Sequence, residues 1–322
     1  MTHSEFVADC YERLLGRPAD DAGLAHYAAR LGDGSLTREA LDEILRASDE
    51  YIERQKRLSP AFARIPRDVQ LCELANPAKW DNPEWLAILK SLASAPIDKA
   101  QMHRKAYELA QTIFGLRRLG ALTESTTVLS VGAGHEPILY WLANHAGKVV
   151  ATDLYEGDWQ SKFSREGDPG VLQDPSSFAP FPYREDRLTF LRMDGSRLAF
   201  ADASFDVVYS LSSIEHFGGV DGARAAVAEM ARVLKPGGIL ALATEWCVRG
   251  TAGGEVFSPG EVRRIIDHPR LQLVQPIDDR VWDRYDTPPV DLRVDRFQSP
   301  HMLLKHDEAI FTSVFVFLER LA

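Results

Sequence analysis

The sequence predicts an α/β protein: a doubly wound, seven-stranded, mostly parallel sheet preceded by a small all-α domain. Three observations lead there. The apolar run VLSV at 128–131 passes straight into Gly132 and Gly134, and after a short helical span a second run, VVATD, ends on Asp153. Strand, glycine bend, helix and strand make the first half of a nucleotide-binding sheet. Further apolar runs follow, RLTFLRMD, FDVVYSLSS, GGILALATE and IFTSVFVFLER, with helical patterns between them, an alternation that gives parallel strands joined by helices. Residues 2–51, by contrast, carry only helical periodicity.

In chain order, Thr2 with Glu5 reads as a capping box. The helix it opens carries Phe6, Cys10 and Leu14 beside Val7, Tyr11 and Leu15, two adjacent apolar stripes. LGRPADDAG ends it, and a salt bridge between Arg17 and Asp20 is expected to fix the turn. A second helix carries Leu24, Tyr27, Ala28 and Leu31 and stops at Gly32-Asp33-Gly34; a third begins near Thr37 with Leu41, Ile44 and Leu45 inward. Residues 1–58 are therefore expected to form a small bundle, an interaction module for a protein partner. Pro60, Pro66, Pro77 and Pro83 break up residues 59–96, read as a linker with short helical turns.

Residues 97–322 hold the sheet. Their first helix is expected over 97–119, with Tyr107, Leu109, Ala110, Ile113, Phe114 and Leu116 inward. His103, Arg104 and Tyr107 lie either near the mouth of a ligand cleft or, for His103 and Arg104, on that helix's exposed face. The clearest helix between strands is 221–234, which Lys235-Pro236-Gly237-Gly238 ends in a tight turn into the next strand.

With 322 residues, 45% apolar and 26% charged, the chain has the composition of a globular protein with room for a full core and a smaller companion domain. A net charge of −10 argues against a nucleic-acid substrate, whose backbone needs a basic surface. Cys10, Cys72 and Cys247 are scattered, make neither a disulfide framework nor a zinc knuckle, and fit a reducing cytoplasm. No N-terminal apolar segment has signal-peptide or membrane-spanning length, so a cytoplasmic protein without a membrane span is expected.

The loop after the first sheet strand separates ligand classes. Glycine there lets the backbone turn sharply and a ligand approach with no Cβ in the way. A dinucleotide site wants a third glycine and sets two phosphates over the helix N-terminus, but here Glu136 and Pro137 follow. A carboxylate repels a pyrophosphate and suits a ligand with an ammonium and no phosphate, such as S-adenosylmethionine. Pro137 is compatible with a first helical turn, where its missing N–H costs nothing. Asp153 and Asp194 fall at strand carboxyl ends, where open sheets bind ligands; aspartate also commonly caps such turns. Asp202 and Asp206 read as turn and strand-entry residues.

Taken together, VLSVGAGHEP, ATDLY, FLRMDGSRLAFADASFDVVYSLSSIEHFGG and EMARVLKPGGILALATE resemble the class I S-adenosylmethionine-dependent methyltransferases, with their Rossmann-like sheet, in order, spacing and residue type. HRKAYELAQ, GAGHEP, TDLYEG, MDG and SSIEHFGG look like bacterial methyltransferases encoded among polysaccharide-assembly enzymes. The resemblance implies that Gly132 and Gly134 accommodate the methionine part, Asp153 the ribose and Asp194 the adenine amino group. It further implies Met193 packed on the base, with the Gly195 and Ser196 amides at its edge. The departure is Glu136, where many relatives have a third glycine. The expected cofactor-binding set is Gly132, Ala133, Gly134, Glu136, Asp153, Leu154, Met193, Asp194, Gly195 and Ser210. The segment with LGRPADDAG and the closing Ser-Asp-Glu-Tyr resembles a short bacterial domain of uncharacterised function that recurs beside glycan-processing enzymes and secreted repeat proteins.

A sulfonium methyl is already electrophilic, so such a protein mainly holds a nucleophile in line with the carbon–sulfur bond and excludes water. A hydroxyl acceptor must also lose a proton. His216, beside Glu215, is the base best placed by sequence, although the pair equally suits a role in fixing its loop; His135 is a second candidate. The insertion 156–187 holds Trp159, Phe163, Phe178, Phe181 and Tyr183 and forms either a lid or aromatic packing on a neighbouring helix. Glu245 and Trp246 are expected to face substrate. His301, His306 and Asp307 match no strong metal-ligand spacing, and no metal is expected. The predicted activity is O-methylation of a saccharide hydroxyl in bacterial glycan biosynthesis. The alternatives are methylation of a small natural product or other metabolite, and a non-catalytic cofactor-binding module.

Overall fold

The computed structural model describes residues 2–15, 17–51, 59–66, 68–92, 98–155, 167–280, 285–295 and 297–322, without the side chains of 12 and 13. The N-terminal bundle consists of α1 (His3–Cys10), a π turn (Tyr11–Leu15), α2 (Asp21–Gly32) and α3 (Arg38–Arg46). Thr2 and Glu5 form the capping box, while Asp20 and Thr37 cap α2 and α3 through the amides of Gly23 and Ala40. Phe6, Val7, Cys10, Leu31 and Leu41 close a core separate from that of the sheet. One expectation is corrected here and another is met and extended. Ile44, expected inward, is 39% exposed because Leu41 and Leu45 already fill the buried face. Arg17 lies 3.5 Å from Asp20 but makes its closer contact, 2.6 Å, with Glu50, so it ties the turn to the end of the bundle.

Residues 59–92, expected as a linker, are a layer of the main core. They hold 3-10 turns at Pro60–Arg64 and Pro77–Asp81, strand β1 (Glu73–Leu74) and helix α4 (Pro83–Ser91). Pro60, Pro77 and Pro83 sit in first helical turns, where proline starts an element rather than breaking one. Leu71, Cys72, Leu74 and Trp85 are fully buried, and the Trp85 indole N–H donates to Gln111 Oε1 at 3.1 Å.

Helix α5 (Arg104–Arg118) starts later than the pattern suggested, because His103 caps it by accepting the Lys105 amide on Nδ1 at 3.1 Å; residue 97, its expected start, lies outside the described residues. There follow β2 (Thr127–Val131), α6 (Pro137–His145), β3 (Lys148–Asp153), β4 (Leu188–Arg192), β5 (Phe205–Leu211), α7 (Gly219–Val233), β6 (Leu234–Arg249) and α8 (Pro259–Ile266). The last strands are β7 (Leu271–Leu273), β8 (Val290–Asp291), β9 (Leu304–His306) and β10 (Ala309–Arg320). Among the described residues the sheet has ten strands in the order β4-β3-β2-β5-β6-β10-β9-β8, with β1 and β7 also on β10. The first five run parallel, and β10 pairs antiparallel with β6. These six are the apolar runs read from the sequence, and the total is larger than the seven expected because short strands join them. Strands β1, β8 and β9 are two or three residues long, too short to carry periodicity. Together with β7, β1 and β9 cover the outer edge of β10 in three successive stretches, which protects it from pairing with another chain.

Lys235-Pro236-Gly237-Gly238 is not a free turn. Leu234, next after α7, already pairs with Phe205, and the register shifts before Val207 meets Ile239. Asp206 locks this end of the sheet, accepting from the Thr127 amide at 2.8 Å and from Lys235 Nζ at 2.8 Å, the strand-entry role expected of it. Strand β2 has β3 on one side and β5 on the other, so the chain order reverses there and opens a crevice above the carboxyl ends of the strands.

Candidate functional site

The floor of the crevice is the bend after β2. Gly132 and Gly134 take φ values of +68° and +48°, a region that favours glycine, and a Cβ on Gly132 would fall 2.5 Å from that of Ser213. The Gly132 and Ala133 amides donate to Thr152 O at 2.9 and 3.0 Å. The Gly134 amide donates to Asp153 Oδ2 at 2.9 Å, and the buried Tyr155 hydroxyl donates to Gly134 O at 2.9 Å. Asp153 thus holds the bend from the end of the neighbouring strand, with the half-exposed Leu154 beside it.

At the end of β4 the Met193 amide donates to Asp153 O at 2.9 Å. Met193 is half-buried, and exposed Asp194 accepts the Ser196 amide at 2.8 Å, a turn-capping contact. Gly195 is buried where a Cβ would lie 2.6 Å from the Phe217 ring and 2.8 Å from Val131. The structure therefore brings together at adjacent strand ends all of the expected cofactor residues except Ser210. Ser210 pairs with Leu242 inside the sheet, fully buried, and its hydroxyl has no hydrogen-bond partner among the described residues.

Glu136 is the N-cap residue of α6 but makes no side-chain cap bond; Lys105 Nζ of α5 lies 3.2 Å from its Oε1. Glu136 therefore repels a phosphate less than its charge alone implies, since a cation already faces it. Lys105 also donates to Leu211 O at 3.0 Å and pairs with Glu108 Oε2 at 3.2 Å. Arg104 lies 2.7 Å from Glu245 Oε1 and 3.4 Å from Glu108 Oε1, and donates to Ser313 Oγ at 3.1 Å. Burial pushes Glu108 upward, but Lys105 and Arg104 more than offset it and hold the carboxyl below its ordinary range. Sequence reasoning missed this network. Its signal was there: charges at Arg104, Lys105 and Glu108 sit at helical spacing in a segment otherwise patterned for burial.

Glu215 lies buried in the 3-10 turn Ile214–His216 and accepts from Thr244 Oγ1 at 2.9 Å. Burial, reinforced by the charge of Glu245, pushes its carboxyl up to about 8. Glu245 is also raised by burial, against the pull of Arg104. His216 Nδ1 is 2.8 Å from Glu255 Oε1; burial lowers the imidazole despite that carboxylate. Trp246, expected to face substrate, is instead buried and bridges to Phe257.

The described part of the insertion takes the packing alternative. Tyr140 of α6 donates to Pro175 O at 3.1 Å and meets Tyr183 edge-on at 4.9 Å, while Phe178 sits 4.8 Å from the His135 ring. Trp159 and Phe163 lie outside the described residues. His301 stacks on His103 at 4.3 Å, whereas His306 ends β9 and Asp307 lies in the β9–β10 turn, where it pairs with Arg293. Among the described residues no group of three or more His, Cys, Asp or Glu could hold a metal ion, and no helix is long and apolar enough to cross a membrane.

Residues 129–242 match the family described as "Methyltransferase domain", and residues 1–55 match a "Domain of unknown function". Methyltransferase GfsG of Streptomyces halstedii is 34% identical over 125 residues, 38% of this chain and 39% of that protein. 27-O-demethylrifamycin SV methyltransferase of Amycolatopsis mediterranei is 41% identical over 71 residues, 22% of this chain and 25% of that one. O-methyltransferase rstn1 of Aspergillus nomiae is 39% identical over 72 residues, 22% of this chain and 31% of that one. The chain thus spans well under half the length of each of these relatives. Among solved structures, the YcgJ protein of Bacillus subtilis overlays with a TM-score of 0.42 at 15% identity, covering 67% of this chain and 99% of that one.

A methyltransferase domain makes S-adenosylmethionine the cofactor to set against the site. The residues fit it. Asp153, at a strand end, would be placed to hold ribose hydroxyls, and half-exposed Leu154 with half-buried Met193 would give apolar contact to a flat base. Glu136 and Lys105 offer one anion and one cation to an amino-acid end.

Proposed function

We propose that this chain is an S-adenosylmethionine-dependent methyltransferase that O-methylates a saccharide hydroxyl in bacterial glycan assembly. What carries the reading is the convergence of Gly132, Gly134, Asp153 and Met193 at adjacent strand ends inside the segment that matches the methyltransferase family. The saccharide rests on the motifs shared with methyltransferases of polysaccharide-assembly clusters and on the N-terminal bundle. The bundle serves as an interaction module, and the protein works in the cytoplasm.

The bound sulfonium supplies an electrophilic methyl group, which leaves the chain to orient an acceptor, keep water out and take a proton. His216 is the base in this scheme: its lowered pKa leaves it neutral at physiological pH. Glu215 is largely protonated there, so it does not take the proton; buried against Thr244, it fixes the loop that carries His216. Asp153 exchanges part of its hold on the Gly134 amide for ribose hydroxyls.

A second reading takes a small natural product as acceptor. It draws on the relatives named O-methyltransferase rstn1 and 27-O-demethylrifamycin SV methyltransferase, whose names also favour oxygen as the methylated atom. Transfer of labelled methyl to a panel of oligosaccharides, sugar nucleotides and non-sugar hydroxyl compounds separates the readings. Turnover confined to non-sugar acceptors rejects the saccharide, and tight donor binding with no transfer to any acceptor favours a non-catalytic module.

A further inference from the structure

We propose that the Lys105–Glu136 ion pair is the port for the amino-acid end of the cofactor, Lys105 receiving its α-carboxylate and Glu136 its α-ammonium. The proposal rests on the methyltransferase reading above and assigns how the chain distinguishes this cofactor from other adenosine compounds.

Position comes first. Lys105 Nζ lies 3.0 Å from the carbonyl of Leu211, the last residue of β5, and 3.2 Å from Glu136 at the first turn of α6. The pair therefore bridges the exits of β2 and β5, the two strands between which the chain order reverses and an open sheet binds its ligand. Glu136 occupies an N-cap position yet leaves the cap unmade and points its carboxylate across the crevice to the lysine.

The exposures of the partners decide which contact can open. Glu108 is 0% exposed, Glu136 12% and Lys105 24%. Glu108 and the Leu211 carbonyl anchor the ammonium from the buried side, while Glu136 faces the accessible side. When Glu136 turns to a ligand, Lys105 keeps two of its partners. Charge is conserved as well: a zwitterion brings one anion and one cation, so one ion pair becomes two and no unpaired charge is left in a half-buried place.

Calorimetry on the full chain tests this with two ligands, S-adenosylmethionine and 5′-methylthioadenosine, which shares the adenosine and the sulfur but has no amino-acid end. Lys105→Gln is expected to weaken S-adenosylmethionine by about ten- to a hundredfold, the loss of a charge-assisted contact, and methylthioadenosine by less than about twofold. Equal losses on both ligands, or no loss on either, overturn the proposal and leave the pair a structural brace. Glu136→Gln provides an independent variant should Lys105→Gln fail to fold: selective loss of S-adenosylmethionine supports the port, and a parallel change in both ligands overturns it. An unaltered chain that binds the two ligands equally well overturns the port alone, whereas one that binds neither overturns the methyltransferase reading with it.

Discussion

The Asp153 carboxylate accepts the Gly134 amide at 2.9 Å, so the acid at the end of β3 is also the clamp on the glycine bend after β2. The capping role, one of the two alternatives in the sequence, is thus present, and the proposed ribose contact would use the same side chain. Asp153→Ala is expected to weaken S-adenosylmethionine by about 1–3 kcal/mol, since it removes a charge-assisted acceptor and loosens the bend together. Asp153→Asn, which retains an acceptor oxygen, should fall between the two. Titration calorimetry reads both, and unchanged affinity in Asp153→Ala would remove this residue from the site.

His216 is expected to act on the rate rather than on binding. His216→Gln should lower kcat by about a hundredfold or more with little change in KM. Its lowered pKa also sets the sign of the pH dependence: wild-type activity should rise through a midpoint below the ordinary histidine value and be flat at neutral pH. A rate profile of the variant that keeps the same acidic limb would assign that limb to another group.

Glu215 gives a prediction for stability. Its folded pKa, about 8, lies above the ordinary 4.5, so between those values the folded state binds more protons than the unfolded state. Stability from this group is complete below the unfolded value and is lost as pH rises through the folded one. Glu245, also raised, acts in the same direction. Chemical denaturation should therefore show the wild type losing on the order of a kcal/mol per pH unit across much of this window. Glu215→Gln should flatten that slope, and an unchanged slope would contradict the assignment.

Trp85→Ala tests whether residues 59–92 belong to the main core. The side chain is fully buried and bonded to Gln111, so its loss should cost about 3–5 kcal/mol. A true linker would tolerate it. Thermal melting decides: a loss of about 3–5 kcal/mol corresponds to about 4–8 °C in a chain of this length, and a shift of less than about 2 °C would return the segment to linker status.

The glycine bend, the acids at the strand ends and the parallel strands were all legible because each is local: a run of apolar residues, a turn residue and a carboxylate at fixed spacing. The prolines of residues 59–92 misled for a physical reason, since proline both breaks and begins helices and only the position of the turn tells which. The short strands against β10 were invisible because two or three residues have no period, and their pairing is dictated by the partner.

Neighbouring residues alone were thus enough to give the sheet and its glycine bend. The electrostatics came from the three-dimensional arrangement. Lys105 opposite Glu136 and Arg104 against Glu245 join residues 31 and 141 positions apart along the chain, and Glu215 is stripped of water by the same packing. The charge state of a carboxyl depends on which cation and how much water the fold sets beside it, and no local pattern encodes that.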